Sequence, residues 1–270
     1  MTRTVLHLAP FLLAAVLAAC GPAPGAPAAA GDGPVQADTG YVAPPELVGA
    51  ARQAGRLVLS GRAPAGAEVL LASPDGSSAG AKADGRGMWS LSVPAPAAAP
   101  AMYALSARIG ERVVRAEGAV LALPLPGPPA LLARAGVAAL PLEGPSRGLS
   151  LTALDYDEGG GAAVAGVSPA GARVRLSIDG IQAGLDQADA RGRFAVLGAS
   201  RPLEPGQRRL RVEMDGAAPA QAAVMVSRAA PLGRAAFRAE RQAGGWRVDW
   251  ARAGGGVQTT LVFDVAGAGS

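Results

Sequence analysis

Apolar and polar residues alternate along much of the chain, and short Gly- and Pro-rich runs separate the alternating stretches. Within AEVLLAS, Val69 and Leu71 fall on one side of the chain. Within ARVRLSI, Val174 and Leu176 do the same. Alternation with a period of two that includes β-branched residues predicts half-buried strands. The Pro and Gly of PAGA, PDG and DG predict the turns between them, so the pattern favours a β-sandwich.

The alternating pattern occurs twice, at a constant offset of 105 residues. When Gly55–Pro94 is aligned with Gly160–Ala199 without a gap, 12 of 40 positions are identical. PAGA recurs before a strand, and ADGRGMW matches ADARGRF, which pairs Trp89 with Phe194. We therefore predict two copies of one sandwich, with these two aromatic residues in equivalent core positions.

A third alternating run, QRRLRVEMDG, belongs to the second copy, and the ungapped alignment places Leu105 on Leu210. Arg209 and Arg211 flank Leu210 and are expected to share the outward face of this strand. Guanidinium groups bind phosphate and carboxylate well, so this face could bind anionic glycan or lipid headgroups. The alternative is a solvated basic face without a fixed partner.

The last forty residues have no copy, and their three alternating runs predict a three-stranded meander. The meander concentrates aromatic residues and side chains with hydrogen-bonding tips. The predicted binding residues are Trp246, Trp250, Gln258, Thr259 and Thr260. The alternative is that both tryptophans lie on a buried face that docks the meander onto the second sandwich.

The first twenty residues differ from all that follows. Arg3 precedes the apolar stretch Val5–Val16, and LAAC ends at Cys20. This resembles the lipobox of bacterial lipoproteins, in which the Cys is lipidated and becomes the mature N-terminus. The resemblance implies a lipid on Cys20 and a bacterial envelope protein on the periplasmic side, with the membrane as partner.

Two alternatives for this segment are an ordinary signal peptide and a short membrane anchor. A membrane span needs about 20 unbroken apolar residues, and Pro10 interrupts the stretch. Gly21 after the Cys favours the outer over the inner membrane.

Single cysteine and histidine residues narrow the possible chemistry. Cys20 is the only Cys, and His7, the only His, lies in the predicted signal peptide. A mature chain without His cannot use a Ser-His-Asp or Cys-His mechanism or a His-containing zinc site. We therefore expect no enzyme activity, no metal and no cofactor. The net charge of +4 is interspersed along the chain, so we expect no nucleic-acid partner.

Both repeats resemble bacterial Ig-like domains with the pattern G-x-A-x-P-G-A-x-V-x-V followed by A-D-x-x-G-x-W/F. The second repeat, LTALDYDEGGGAAVAGVSPAGARVRLSIDG, resembles the Ig-like module that accompanies LysM domains in alphaproteobacterial envelope proteins. No LysM-like stretch occurs in this sequence. The shared residues form turns and core, so the resemblance implies a fold rather than an activity. A carboxypeptidase regulatory-like sandwich has a similar pattern and is the alternative fold.

The predicted fold class is all-β, with two tandem Ig-like sandwiches and a small C-terminal meander. The predicted organisation is a lipoprotein signal peptide at 1–20, a disordered tether at 21–45, Ig-like domains at 46–124 and 148–230 joined by a Pro-rich linker at 125–147, and the meander at 231–270. The predicted function is that of a non-catalytic cell-envelope lipoprotein whose modules space or bind envelope protein, peptidoglycan or other glycan. The alternatives are a carboxylate-based glycan hydrolase and a carboxypeptidase regulatory-like accessory module. A hydrolase requires a pocket with two facing carboxylates about 5–9 Å apart.

Overall fold

The computed structural model describes residues 41–142, 148–198 and 202–264. The predicted signal peptide, Cys20 and the predicted tether up to residue 40 lie outside the described residues. The described residues form strands, turns and irregular segments without a helix, and this confirms the predicted all-β class. Consistent with that, no helix of the described part is long and apolar enough to span a membrane.

The first sandwich is built from the first seven strands. They are β1 (Glu46–Gln53), β2 (Arg56–Arg62), β3 (Glu68–Ala72), β4 (Ser78–Lys82), β5 (Met88–Pro94), β6 (Ala101–Ile109) and β7 (Arg112–Ala122). One sheet has the order β1-β2-β5, and the other begins β4-β3-β6-β7, with all neighbours antiparallel. The alternating apolar residues of both sheets fill the space between them, and Leu57, Leu59 and Val69 are fully buried there.

The second sandwich repeats this order. Its strands are β10 (Ser150–Asp157), β11 (Ala162–Val167), β12 (Arg173–Ile178), β13 (Ile181–Gln187), β14 (Arg193–Gly198), β15 (Gly206–Glu213) and β16 (Ala220–Val226). Its sheets contain β10-β11-β14 and β13-β12-β15-β16, which correspond strand by strand to the first sandwich. The duplication seen in the sequence is therefore a duplication of a seven-stranded unit.

Trp89 and Phe194 occupy equivalent places in β5 and β14 and are both buried, as predicted. Each ring packs over a glycine of the neighbouring strand. A side chain at Gly61 would overlap the Trp89 ring, and one at Gly166 would overlap the Phe194 ring. The spacing of aromatic and glycine that both copies share thus has a steric reason.

The ungapped alignment is wrong beyond the fifth strand of each unit. Leu105 lies opposite Leu71 on the neighbouring strand, whereas Val212 lies opposite Leu176. Since Leu71 and Leu176 are equivalent, Leu105 corresponds to Val212 and not to Leu210. Two additional residues between β14 and β15 account for the shift.

The segment predicted as a Pro-rich linker, 125–147, differs from an extended connection over its described part. It contains β8 (Ala130–Ala133) and β9 (Leu140–Pro141), which continue the sheet of the first sandwich beyond β7. Leu131 is fully buried. Between the prolines, β8 is a run of four apolar residues, three of them buried, and burying these side chains favours packing over a solvated linker.

The turn before β8 is held by one side chain of β1. The Arg52 guanidinium donates hydrogen bonds to the carbonyl oxygens of Leu123, Gly127 and Pro128, at 2.7, 2.8 and 3.0 Å. The Arg52 side chain thus supplies hydrogen-bond donors for three backbone carbonyls that lie outside the strands. Arg52 thereby anchors the turn between β7 and β8 to β1.

The predicted C-terminal meander is present as β17 (Phe237–Gln242), β18 (Gly245–Ala251) and β19 (Val257–Phe263). It does not stand apart from the second sandwich. Strand β19 pairs with β10, which makes one six-stranded sheet of order β14-β11-β10-β19-β18-β17.

A third apolar core joins the two sandwiches. The face of β18 and β19 that carries Val248, Trp250 and Val262 packs against Leu121 and Leu131 of the first sandwich. The strands added after each repeat, β8 and β9 in one case and the meander in the other, therefore take part in the contact between the repeats, together with Leu121 of β7 and Ala153 of β10. Because this core is continuous and buried, the described residues from 42 onward form one compact unit.

Candidate functional site

Most of the predicted binding residues of the meander lie in the interface between the sandwiches. Trp250 is 5% exposed, Gln258 2% and Thr260 not at all. Thr259 is 1% exposed but lies on the opposite face of β19, with Arg247 and Asp249. The indole nitrogen of Trp250 donates a hydrogen bond of 3.0 Å to the Thr260 hydroxyl on the neighbouring strand. The structure thus corrects the surface prediction for these four residues: the strand pairing turns them inward, where they are covered.

A buried carboxylate, Asp155 of β10, organises the polar part of this interface. It accepts hydrogen bonds from the Ala139 backbone N–H at 2.7 Å, the Thr260 hydroxyl at 2.5 Å and the Gln258 amide at 3.1 Å. Ala139 belongs to the connection between β8 and β9, whereas the other donors are on β19. One carboxylate therefore ties three separate segments together.

Gln258 extends the same network into the β8–β9 connection. Its side-chain oxygen accepts from the Gly136 N–H at 2.8 Å, and its amide nitrogen donates to the carbonyls of Arg134 and Val137 at 3.2 and 3.3 Å. A buried amide with partners on both its nitrogen and its oxygen is a positioning group rather than a free recognition tip.

Burial raises the pKa of Asp155 to about 6, and the three donated hydrogen bonds oppose this rise without cancelling it. The carboxyl group is 2% exposed, and desolvation penalises its charged form. An Asp with such a pKa changes its charge at mildly acidic pH. Its protonation state is therefore linked to the stability of the interface.

The opposite face of β18 carries a second buried polar group. Arg247 pairs with Asp249 at 2.9 Å and donates to the hydroxyls of Tyr156 and Ser227 at 3.1 and 2.6 Å. The Thr259 hydroxyl donates to Asp249 at 2.7 Å. The Thr259 hydroxyl is therefore hydrogen-bonded within the protein, to both members of a buried ion pair. This network was not predicted, because Arg and Asp that alternate with Trp246, Val248 and Trp250 are also typical of a strand with one solvated face.

Trp246, the remaining meander residue of the prediction, is half-buried. The Arg241 guanidinium lies 5.5 Å from the centre of its ring, a cation–π distance. Arg241 also pairs with Asp264 through both nitrogens, at 2.9 and 2.6 Å. Trp246 borders an open cleft of about 510 Å³ between β16 and the end of β19. Ligand binding by Trp246 stays a prediction.

Arg209 and Arg211 share the outer face of β15, as the alternation predicts. Arg209 is exposed, while Arg211 is half-buried and pairs with Glu213 at 2.7 Å. On the neighbouring strand, Arg173 and Arg175 are exposed on the same outer face. Arg209 and Arg211 are predicted from the sequence, and the pairing of β12 with β15 places Arg173 and Arg175 beside them.

The two acidic residues near the end of β10, Asp155 and Asp157, have partners within the chain. Asp157 pairs with Arg252 at 2.9 Å, and Asp155 is buried as described. In the described ranges, no three His, Cys, Asp or Glu side chains are grouped as a metal ion would require.

The strand order of both repeats, with a three-stranded sheet facing a four-stranded one, defines a protein of the Ig-like β-sandwich class. No protein-family model matches the chain, and no curated protein matches it significantly.

Among solved structures, the chain is similar to the BSP domain of a biofilm-associated protein. The two are 16% identical over 70% of this chain and 30% of the other, with a TM-score of 0.25. It is similar to the central fibronectin-III array of RIM-binding protein, with 13% identity over 84% of this chain and 90% of the other, and a TM-score of 0.26. Invasin, a bacterial integrin-binding protein, shows 14% identity over 82% of this chain and 54% of the other, with a TM-score of 0.20. The chain spans about 30% of the length of the biofilm-associated structure.

Proposed function

We propose that the protein is a non-catalytic lipoprotein of the bacterial cell envelope whose two Ig-like sandwiches act as one scaffold that presents a binding surface to an envelope partner. The lipid on Cys20 holds the chain at the membrane, on the periplasmic side of the outer membrane. The partner is an envelope protein, peptidoglycan or another glycan.

The observation that supports a scaffold role is the interface between the two sandwiches. Asp155 and Gln258 connect β10 and β19 to the β8–β9 connection through direct hydrogen bonds. Trp250 and Leu131 lie in the apolar core beside this network. A chain that only needed two freely jointed modules would not require a buried, hydrogen-bonded contact between them. A fixed contact instead holds surfaces of both modules in a constant relation.

The arrangement of the acidic residues counts against the alternative of a glycan hydrolase. Asp155 and Asp157 line one cavity of about 230 Å³, but they project from the same strand two positions apart. They therefore stand side by side, whereas a glycosidase places its carboxylates on either side of the scissile bond. Asp155 accepts three internal hydrogen bonds, and Asp157 pairs with Arg252.

The test of membrane anchoring is metabolic labelling of the full chain with a radioactive fatty acid, followed by membrane fractionation. We expect label in the wild-type protein and none in Cys20→Ser. The matched control is Ala19→Gly, which keeps a small residue before the Cys and should retain the label. An unlabelled wild-type protein in the soluble fraction would overturn the lipoprotein proposal.

The non-catalytic part has its own test. Purified protein is incubated with peptidoglycan, and soluble fragments are measured by mass spectrometry. We expect no release above buffer. Release of fragments by the wild-type protein that is lost in Asp157→Asn would show that the chain is a hydrolase.

A further inference from the structure

The outer face of the sheet β13-β12-β15-β16 carries a group of arginines, which we call the arginine face. It comprises Arg173 and Arg175 on β12 and Arg209 and Arg211 on β15. Neighbouring strands lie about 4.8 Å apart, and alternate residues along a strand are about 6.7 Å apart. The four guanidinium groups are therefore carried close together on one side of the sheet.

The charge on this face is not balanced by the acids around it. Glu213 pairs with Arg211 and lies opposite Arg175. Among the described residues of β12 and β15, Glu213 is the one acidic side chain on the outer face. The outer face of these two strands therefore carries four positive charges and one negative charge. Asp215 follows β15 in an exposed turn and lowers the excess at that end.

The first sandwich provides an internal comparison, because its scaffold is the same. The pairing of Ser177 with Arg211 corresponds to the pairing of Ala72 with Ala104. The positions equivalent to the four arginines hold Glu68, Leu70, Met102 and Ala104. None of these is basic, and the sandwich still forms. The fold therefore does not require arginine at these positions, and their function in the second sandwich needs another explanation.

Exposed apolar side chains flank the arginine face on both edge strands. Leu185 on β13 lies opposite Arg175 and is 65% exposed, and Met225 on β16 lies opposite Gln207 and is 57% exposed. A sheet face with central arginines and apolar side chains at both edges matches a membrane surface. Arginines can contact lipid phosphates while apolar side chains enter the headgroup region.

We propose that the arginine face binds an anionic phospholipid membrane surface. The inference deepens the proposed function, since it rests on a chain held near a membrane and names how its second sandwich lies on that membrane. Each basic residue near an anionic bilayer contributes to binding, and the net excess of three charges corresponds to about 100-fold in affinity at low salt. The attraction should weaken as salt rises, because the screening length shortens.

The test uses the full chain with Cys20→Ser, so that an acyl chain cannot contribute to binding. Vesicles of equal parts phosphatidylcholine and phosphatidylglycerol are compared with vesicles of phosphatidylcholine alone by co-sedimentation. In this background, the quadruple change Arg173→Gln, Arg175→Gln, Arg209→Gln and Arg211→Gln removes four positive charges and should weaken binding to anionic vesicles about 1,000-fold at low salt. Binding to neutral vesicles should be the same in both proteins.

The matched control removes the same charge elsewhere. Arg62, Arg86, Arg115 and Arg228 are exposed and lie off this face, and their joint replacement by Gln should leave vesicle binding near that of the parent. Thermal melting by circular dichroism checks that both quadruple variants fold. Equal losses in the two variants would mean that net charge alone acts and would overturn the proposal.

Two further results would also overturn it. One is a parent protein that binds anionic and neutral vesicles equally. The other is preference for a soluble anionic polysaccharide, polygalacturonate, over anionic vesicles, with the preference lost in the arginine-face variant. Because the parent carries no acylated Cys, failure here leaves the labelling test of Cys20 unaffected, and the two proposals can fail separately.

Discussion

The Trp250 indole and the Thr260 hydroxyl are joined by a hydrogen bond of 3.0 Å on the face of the C-terminal strands that packs against the first sandwich. Thr260 in turn donates to Asp155 at 2.5 Å. Trp250 therefore lies where the apolar core and the polar network of the interface meet. The meander, which is absent from the first repeat, contributes Val248, Trp250 and Val262 to the core that joins the two repeats.

Truncation of Trp250 should be costly for this reason. Trp250→Ala should lower the free energy of unfolding by about 3–5 kcal/mol, because it leaves a large cavity in the third core. Trp250→Phe retains most of the apolar contact and should cost less. Urea denaturation followed by circular dichroism measures both values. A wild-type transition for Trp250→Ala would mean that this side chain does not hold the interface.

The glycines beneath the two aromatic rings should tolerate no side chain. Gly61→Ala and Gly166→Ala should each be strongly destabilising, since the added methyl group would overlap the Trp89 or Phe194 ring and a backbone carbonyl. Gly85→Ala is the control, because no atom lies within 4 Å of the place that its added methyl group would take, and its φ is outside the left-handed region. Melting temperatures of the three variants test the steric argument. Equal melting of Gly61→Ala and Gly85→Ala would contradict it.

Asp155 should make stability depend on pH in a defined direction. Its pKa is raised from 3.8 to about 6, so the folded state holds the proton more tightly than the unfolded state. The stabilisation from this group is therefore complete below about pH 4 and is lost as the pH rises to about 6, by up to about 3 kcal/mol.

Asp155→Asn should remove this dependence. The difference in unfolding free energy between wild type and Asp155→Asn, measured between pH 4 and 7, isolates the contribution of this group from that of other acids. We expect the difference to change in favour of the variant as the pH rises. A difference that stays constant over this range would show that Asp155 does not titrate there.

The ion pair of Arg247 and Asp249 should behave as a buried pair. Arg247→Met removes the nearer of two guanidinium partners of the buried Asp249 carboxylate and leaves Arg238 at 3.7 Å, so it should cost about 3 kcal/mol. The double variant Arg247→Met, Asp249→Leu removes both charges and should be less destabilised than the single variant. Denaturant titrations of the two single variants and the double variant give the coupling energy. Additive costs would mean that the two residues do not act as a pair.

The repeat, the strands and the turns could be read from the sequence because they are local properties. Alternation shows which residues of a strand share a face, and Asp and Gly at a fixed spacing favour a turn through their own local chemistry. The Asp84 carboxylate accepts from the Arg86 and Met88 N–H groups, and the Asp189 carboxylate accepts from the Arg191 N–H in the same way. Trp89 and Phe194 were placed correctly for the same reason.

The tertiary structure decided which strand faces are buried and which elements cover them. The alternation of β18 and β19 separates two faces but does not show that both are buried, since that depends on β8 and β10, which lie about a hundred residues or more away. Thr260 pairs with Asp155, which is 105 residues away in the sequence. This pairing places the predicted binding residues Trp250, Gln258 and Thr260 in the buried interface between the two sandwiches. Likewise, Arg173 and Arg175 joined Arg209 and Arg211 only through the pairing of β12 with β15. Local pattern fixes conformation, whereas burial is a property of surfaces that meet only in the folded chain.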